Sequence, residues 1–442
     1  MRSWLAVLLA TTVLITAVVP ATAQARRRLA FGDVAPVVLR ENLQLRAAAL
    51  DVAIAKAQLD QARSGARPLL GVTTSYSRAQ ERAGQALSFA NPFGSTPATI
   101  TVTLRPPDPD LVALRLRILY PLYTGGWIES QIVLAEANLR GAPAVFTRAT
   151  QQVVFAAQQA YLRVLLSDGL LNAARRSLDQ AQEQVRVAQT RVAAGASPTF
   201  DVLQAQLAEA EAQQAVARAE AATQNASAGL NLLLNLPLDQ EATLTDVLER
   251  RRLSSTLTAA IARGLRERPE LAELRARMDV ARAAIELARS GGRPNVLLDG
   301  TYNLGGSLSA ATGSWSGTLA VTLSLHDGGL TRERVREAEA RLAQVQLLEA
   351  DRRRTIELEV RRAWLALTQA EAEITATSAG VAQAREAVRL ADLRYKAGVG
   401  TSLETVAAQA ALAQAEAAAV QTLFNHSLAR GQMERAVGGP LE

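Results

Sequence analysis

The sequence lacks cysteine, and it has only two histidines and three methionines among its 442 residues. Without cysteine the chain has no disulfide framework, no thiol nucleophile and no Cys/His metal site. The scarcity of histidine and methionine also argues against a specialist in metal ions. His326 stands beside Asp327 at the end of a strand-like segment, and His426 stands alone in a helical one. We therefore expect no enzymatic chemistry, no cofactor and no bound metal.

Lysine is almost absent as well. Lys56 and Lys396 are its only occurrences, so the net charge of +6 comes from arginine. The arginine clusters at 250–252 and 352–354 lie among acidic residues such as Glu249. This mixture favours solvated helix faces laced with salt bridges over a nucleic-acid surface. We expect no nucleic-acid partner.

Long apolar runs are missing everywhere except at the N-terminus. There, Arg2 precedes the apolar stretch 4–19, and the small residues "ATA" follow at 21–23. This order predicts a secretory signal over residues 1–23, with an uncleaved anchor as the alternative because Arg26 to Arg28 follow closely. No later run of about 18 apolar residues occurs, so no transmembrane helix is expected beyond the signal. Contact with a membrane would then have to use strands.

What the sequence does contain is a duplication. The segment "RVAAGASPTFDVLQAQ" at 191–206 returns as "RYKAGVGTSLETVAAQ" at 394–409, 203 residues later. Nearer the start of each half, "ARSGARP" at 62–68 returns as "ARSGGRP" at 288–294, 226 residues later. Self-similarity at a fixed offset is the signature of a repeated architecture.

The two offsets differ by 23 residues, which is extra length in the first half. The segment "SFANPFGSTPATITVTLRPPDPD" at 88–110 lies there, and we expect it to be a longer surface loop. We assign the first repeat to residues 24–237 and the second to residues 238–442.

Each half contains two segments in which apolar and polar residues alternate. Leu319, Val321 and Leu323, for example, alternate with threonine, alanine and serine. The four segments are 69–78, 112–122, 294–303 and 315–325. Strict alternation predicts strands with one apolar and one wet face. One such strand would also suit a soluble sandwich, but four amid several hundred helical residues favour membrane strands.

Long helical segments surround these strands. They are 34–66, 128–194, 200–235, 331–397 and 402–437. A helix of about 67 residues would be about 100 Å long, too long to be buried in a globule. Alanines at 205, 208, 212, 215 and 219 recur at steps of three and four, the spacing of a coiled-coil seam. Pro143 is expected to kink the first long helix.

The duplicated turn reads as a tight helical hairpin. Gly195 and Gly398 stand where a helix end favours a left-handed residue. Ser197 with Pro198 predicts an N-cap followed by proline at the first helical position, and Thr401 with an acid three residues later predicts a capping box.

Asp201 and Glu404 lie in the first turn of the two returning helices. A carboxylate there gains about 0.3 to 1 kcal/mol from the helix dipole. Two interpretations stand at this point. The acids serve only as helix-start residues, or they also face a pore.

These turns, in this pairing and spacing, resemble those of the TolC-type outer-membrane efflux proteins. The resemblance covers the signal, the duplication, the strand pairs and both turns. It implies a mainly α fold with a small β part: a trimer with a twelve-stranded barrel that continues into a periplasmic α-helical barrel. An independent argument agrees, because four strands cannot close a barrel and open edges are not tolerated in lipid.

The resemblance also assigns roles to the turns. In this family they form a periplasmic tip that closes like an iris and docks onto a periplasmic adaptor protein of an inner-membrane pump. The tip carboxylates correspond to Asp201 and Glu404. The residues of the turns that would contact the adaptor are Arg191, Gly195, Ser197, Arg394, Gly398 and Thr401. Ala407 and Gly400 replace a second acid and an arginine of the family pattern, so the latch network is thinner here.

We therefore expect an outer-membrane exit duct that passes small molecules from an adaptor and an inner-membrane pump to the exterior. A polypeptide-secretion duct on the same fold is one alternative, and a soluble periplasmic hairpin adaptor is another. The aromatic residues expected at the membrane interface are Tyr120, Trp127, Tyr302 and Trp315, with core packing as the alternative.

Overall fold

The computed structural model describes residues 28–80, 84–90, 92, 99–104, 108–240, 243–249, 256–307 and 310–441. The expected signal, 1–23, and the arginine cluster at 250–252 lie outside the described residues. No helix within the described ranges combines the length and the apolar character that crossing a bilayer requires.

The chain is mainly helical with a small β part, as the sequence predicts. The helices are α1 (Phe31–Glu41), α2 (Leu43–Ser64), α3 (Trp127–Ala193), α4 (Thr199–Leu233), α5 (Leu257–Glu267), α6 (Pro269–Ser290), α7 (Leu330–Lys396) and α8 (Ser402–Val437). The strands are β1 (Arg28–Leu29), β2 (Leu69–Arg78), β3 (Gln85–Ala90), β4 (Thr99–Leu104), β5 (Asp110–Tyr123), β6 (Thr243–Leu244), β7 (Asn295–Ser307) and β8 (Ala310–Thr322).

Element lengths recur between the two halves of the chain. Helices α1 and α5 each have 11 residues, α2 and α6 each have 22, and α3 and α7 each have 67. Leu330 begins α7 at the residue 203 positions after Trp127, which begins α3. Helix α3 is unbroken at Pro143, where Thr147 Oγ1 donates to the proline carbonyl at 2.9 Å.

The sequence did not predict the break between two helices at Asn42. The segment 34–66 was expected to be one helix, but it forms α1 and α2 with Asn42 between them. The backbone of Asn42 is extended, and its Oδ1 accepts hydrogen bonds from the amides of Gln44 at 2.9 Å and Leu45 at 3.1 Å. Asparagine is a strong N-cap because its side chain satisfies amides that have no partner within the helix.

The chain divides into two compact units. The first, which we call the sheet unit, comprises Asn42–Phe155, Arg251–Glu371 and Ala429–Glu442. The second, which we call the turn unit, comprises Met1–Glu41, Ala156–Arg250 and Ala372–Leu428.

A four-stranded antiparallel sheet in the order β2-β5-β7-β8 organises one part of the sheet unit. The strand expected at 315–325 runs from Ala310 to Thr322 instead. Its last paired residue, Thr322, lies opposite Asn295, the first residue of β7. The apolar alternation continues past Thr322, but there is no neighbouring β7 residue for it to pair with.

The expectation of a plain surface loop at 88–110 is wrong. Strands β3 and β4 pair antiparallel across this region, with Leu87 opposite Val102 and Phe89 opposite Ile100. The apolar residues of both strands alternate with serine, alanine and threonine, so the segment has the period-two pattern of a hairpin. The prolines and the glycine of this segment are typical of loops, and the alternation between them is too short to predict strands.

The core of the sheet unit lies between helices α5 to α8. Its buried members are Ala260, Leu271, Ile356, Val360, Ala363, Leu367, Ala429, Met433, Ala436 and Val437. At its margin, the side chain of Arg268 is only 4% exposed and contacts Glu270 at 2.7 Å and Glu359 at 2.8 Å. Arg352 reaches the same two carboxylates at 2.9 and 3.2 Å. The two carboxylates balance the positive charge of the buried Arg268 guanidinium, which would otherwise be costly to remove from water.

The turn unit has its own packing. Tyr161 is fully buried, and the single proton of its hydroxyl has two acceptors within reach, the carbonyl oxygen of Leu29 at 3.0 Å and Asp246 Oδ2 at 2.8 Å. Burial raises the pKa of Tyr161, and its hydrogen bond to Asp246 raises it further. Along the seam of α3 and α4, Ala205 packs with Val185 and Ala188.

Candidate functional site at the paired helix turns

Both turns share one backbone design within the turn unit. Gly195 and Gly398 have φ values of +67° and +75°. The amide after each glycine donates to a carbonyl five residues earlier, at 2.8 Å to Arg191 and at 3.0 Å to Arg394. This bond, closed by a left-handed residue, is the Schellman ending of a helix. Each long helix therefore stops sharply and lets the chain reverse.

The starts of the returning helices differ. In the second turn, Thr401 Oγ1 accepts from the amide of Glu404 at 3.2 Å, so Thr401 caps α8. In the first turn, the expected Ser197 cap is wrong, because Pro198 holds the N-cap position with φ −74° and ψ 153° and makes no side-chain cap bond. Ser197 Oγ instead accepts from Arg191 Nε at 3.1 Å.

Arg191 ties the first turn to the end of α7. Its Nη1 donates to the carbonyl of Tyr395 at 2.7 Å and to that of Lys396 at 3.3 Å. Its guanidinium also lies 4.6 Å from the centre of the Tyr395 ring. The last carbonyls of a helix carry partial negative charge, and an aromatic face attracts a cation. Arg191 therefore satisfies two kinds of acceptor at once.

Tyr395 makes a second link between the two turns. The residue is 2% exposed, and its hydroxyl donates to Asp201 Oδ2 at 3.3 Å. Asp201 lies in the first turn of α4, so the link joins the beginning of α4 to the end of α7. Tyr395 was not among the residues predicted from the sequence. The sequence does carry a signal for this residue. The equivalent residue 203 positions earlier is Val192, so Tyr395 departs from the repeat by adding a hydroxyl group that can donate a hydrogen bond.

The second turn holds its arginine differently. Arg394 Nε lies 3.5 Å from Glu404 Oε2, and both side chains are about half exposed. An added Cβ at Gly400 would lie 2.9 Å from the Cβ of Arg394. Glycine at this position therefore lets the turn pass close to the end of α7, where a larger residue would force the backbone to move.

Each tip also presents a large apolar side chain to solvent at the same position of the repeat. Phe200 and Leu403 are each 62% exposed, and Leu403 follows Phe200 by 203 residues. Val399, four residues before Leu403 in the chain, is 70% exposed. Exposed apolar residues clustered near a turn mark a surface that can bind another protein.

The aromatic residues expected at an interface lie on or beside the sheet. Trp315 is 81% exposed on β8, and Tyr302 lies opposite it on β7. Trp127, also exposed, begins α3, and Tyr120 is half-buried on β5. In the described part of the chain, no group of three or more His, Asp or Glu side chains is arranged to hold a metal ion.

The chain matches one protein family, several curated proteins and several solved structures. The family model for outer membrane efflux proteins matches residues 34–236 and 260–439. The pyoverdine export outer membrane protein OpmQ of Pseudomonas putida is 27% identical over 63% of this chain. The aligned region spans about 60% of the length of that relative. The outer membrane protein TolC of Vibrio cholerae is 26% identical over 75% of this chain and 78% of its own.

Among solved structures, the CmeC outer membrane channel of Campylobacter jejuni superposes with a TM-score of 0.76. The alignment covers 93% of this chain and 86% of CmeC at 17% identity, which is evidence for the fold alone. Together with the family match over most of the sequence, these findings show that the chain belongs to the outer membrane efflux protein family.

Proposed function

We propose that this protein is the outer-membrane exit duct of a tripartite efflux system. It receives small molecules from a periplasmic adaptor and an inner-membrane pump and releases them outside the cell. The observation that carries the proposal is the four-stranded sheet, which has one apolar, exposed face and two edge strands, β2 and β8, each with one side that has no strand partner among the described residues. A sheet of this kind is suited to lipid only when its edges are closed.

Three copies would close those edges. In the described residues β2 pairs only with β5, and β8 pairs only with β7. Joining the β8 edge of one copy to the β2 edge of the next places twelve strands in a ring, above the minimum of about eight strands for a membrane barrel. The homotrimer is therefore part of the proposal.

The outer membrane then surrounds the sheet. Ile118, Leu319 and Val321 are exposed in the single chain and would face lipid. Tyr120, Trp127, Tyr302 and Trp315 would supply ring-bearing side chains to the two membrane surfaces, where aromatic residues are enriched. The helical hairpins would lie in the periplasm.

The turns would form the end that meets the adaptor. Two hairpins per copy give six turns in a trimer, and each carries an exposed apolar residue, Phe200 or Leu403. Arg191 and Ser197 are engaged within the chain, so the exposed residues next to the turn glycines supply most of the docking surface in this proposal.

The turns would also set the resting width of the duct. Tyr395 and Arg191 hold the first turn of one hairpin against the end of the other hairpin's long helix. Asp201 and Glu404 would bring six carboxylates to the narrow end of a trimer. A ring of carboxylates favours cations in other pores.

The test is an efflux measurement in the bacterium that makes this protein. Deleting the gene should increase retention of a fluorescent dye that its pumps export, and the wild-type gene should restore export. A Phe200→Ser, Leu403→Ser double variant should reach the outer membrane at normal level and fail to restore export. Unchanged dye retention after deletion, across a panel of cationic, neutral and anionic dyes, would contradict the proposed function.

A further inference from the structure

The two faces of the four-stranded sheet have opposite character. On β5, Leu114, Leu116 and Ile118 alternate with Arg115 and Arg117. The register carries this division across the sheet, because Leu116 lies opposite Tyr302 and Tyr302 lies opposite Trp315. An apolar face across all strands belongs against lipid, and the other face then lines the water-filled interior.

The polar face carries a belt of hydrogen-bonding side chains. Arg115 lies opposite Asn303 in the register, and its Nε donates to Asn303 Oδ1 at 2.8 Å. Arg117 Nη2 donates to Asp299 Oδ2 at 2.6 Å. Thr301 lies opposite Arg117 on one side and Ser316 on the other, and the hydroxyl oxygens of Thr301 and Ser316 are 2.6 Å apart.

The charges on this face do not balance. Among the described residues of the four strands, its charged side chains are Arg115, Arg117 and Asp299. Asp299 neutralises Arg117, whereas the side-chain partner of Arg115 is the neutral amide of Asn303. The other charged pair of the strands, Arg78 and Asp110, lies on the apolar side at the far end of the sheet. Each copy therefore contributes one uncompensated positive charge to the polar face.

We propose that Arg115 makes the wall of the duct selective for anionic solutes. The inference rests on the proposed function, because the polar face lines a pore only in the closed assembly. Three Arg115 guanidinium groups would then form a positive ring, held in place by Asn303 and flanked by the Arg117–Asp299 pairs. Rings of arginine or lysine select anions in other pores, and walls of low dielectric concentrate their field. The substrate class is small molecules that carry carboxylate, phosphate or sulfonate groups.

The ring is separate from the acids at the turns. Arg115 belongs to the sheet unit, and Asp201 and Glu404 belong to the turn unit. The Arg115 ring would favour anions and the turn acids would favour cations, so the effect of each group is measured in a variant that changes only that group.

The experiment records the reversal potential of the full-length protein in planar bilayers under a potassium chloride gradient. Arg115→Gln should lower the permeability ratio of chloride to potassium by about threefold, the effect of removing three charges several ångströms from the path in screened water. Arg115→Lys should keep the ratio of the wild type. Arg78→Gln is the matched control, because it removes the same charge from the other face, and it should change the ratio little.

A second variant keeps the test valid if Arg115→Gln does not fold. Asn303→Asp leaves Arg115 in place and gives it a carboxylate partner, so it should lower the permeability ratio of chloride to potassium in the same way. If the wild type conducts and neither Arg115→Gln nor Asn303→Asp changes the ratio relative to Arg78→Gln, the inference is overturned and the duct remains. If the wild type forms no conducting pore, the proposed function itself fails.

Discussion

Arg191 and Arg394 occupy equivalent positions in the two turns, yet their surroundings differ. Arg191 donates to the carbonyl of Tyr395 at 2.7 Å and to Ser197 at 3.1 Å, and it lies over the Tyr395 ring. Arg394 has an exposed ion pair with Glu404 at 3.5 Å. Hydrogen bonds from a charged group to partly buried acceptors stabilise a fold more than an ion pair in water does.

This difference predicts unequal effects of the same substitution. Arg191→Gln should lower the free energy of unfolding by about 1.5 to 3 kcal/mol, the usual range for charged hydrogen bonds. Its matched control, Arg394→Gln, should cost no more than about 1 kcal/mol, as exposed ion pairs do. Urea unfolding of the detergent-solubilised protein, followed by circular dichroism, measures both. Equal losses in the two variants would show that Arg191 does not link the hairpins.

The limits of sequence reasoning are clear at single residues. The turn glycines and the Thr401 cap could be predicted, because the left-handed backbone and the N-cap have strong residue preferences. The contacts of Arg191 with Tyr395 and Lys396 could not, because these residues lie about 200 residues away in the chain. Pro198 was predicted at the first helical position but holds the N-cap, since proline suits both the first helical position and the extended residue before it.

Most helices and strands could be predicted from the periodicity of apolar residues. The predictions were wrong where a residue or a short segment suits two kinds of structure. Helices α3, α7 and α8 were predicted within one residue at both ends, because the glycine turns bound them clearly, and α4 ends two residues before its predicted end. The break at Asn42 was missed because asparagine is also tolerated inside helices. The β3–β4 hairpin was missed because its alternation is short and lies between residues typical of turns.

Helix packing in the sheet unit gives a prediction about pH. Burial would raise the pKa of Glu270, but the hydrogen bond and charge of Arg268, with a further bond from Arg352, lower it to about 2. A carboxyl whose pKa is lowered in the folded state stabilises the fold above its ordinary pKa. That contribution is lost as the pH falls from about 4.5 toward 2.

The midpoint of thermal unfolding should therefore decline through this pH window in the wild type. In Glu270→Gln, whose side chain does not titrate, the midpoint should be lower at pH 6 and decline less steeply below pH 4.5. Calorimetry at several pH values makes the comparison. Parallel curves for the two proteins would show that the Arg268 cluster does not contribute to acid sensitivity.

On the scale of the whole molecule, family membership and the fold class of the chain are shown by the family match and by the solved channels. The assembly of three copies, the lining of the duct and the role of the turns are proposals that follow from the unpaired edges and the two sheet faces. The sequence could predict the four strands of the sheet and their apolar alternation, and hence the need for association. It could not reveal that Arg115 faces an amide and Arg117 a carboxylate, because strand register decides that.

The acids of the turns give a prediction at this scale. The Asp201→Asn, Glu404→Gln double variant should raise the permeability ratio of chloride to potassium by about twofold or more in planar bilayers if six carboxylates surround the narrow end. If the acids serve only to start helices α4 and α8, the variant should lose some stability and keep the ion preference of the wild type. The reversal potential in a salt gradient distinguishes the two.

The most direct test of the duct itself uses the absence of cysteine from the sequence. A single cysteine at Ser316, on the polar face of β8, would be the only thiol of each copy. In single-channel recordings of Ser316→Cys, a bulky thiol reagent should reduce the conductance in three equal steps, one for each copy. The matched Leu319→Cys variant, on the apolar face, should show no reduction. Block of Leu319→Cys with no block of Ser316→Cys, or a number of steps other than three, would contradict a three-copy duct lined by the polar face.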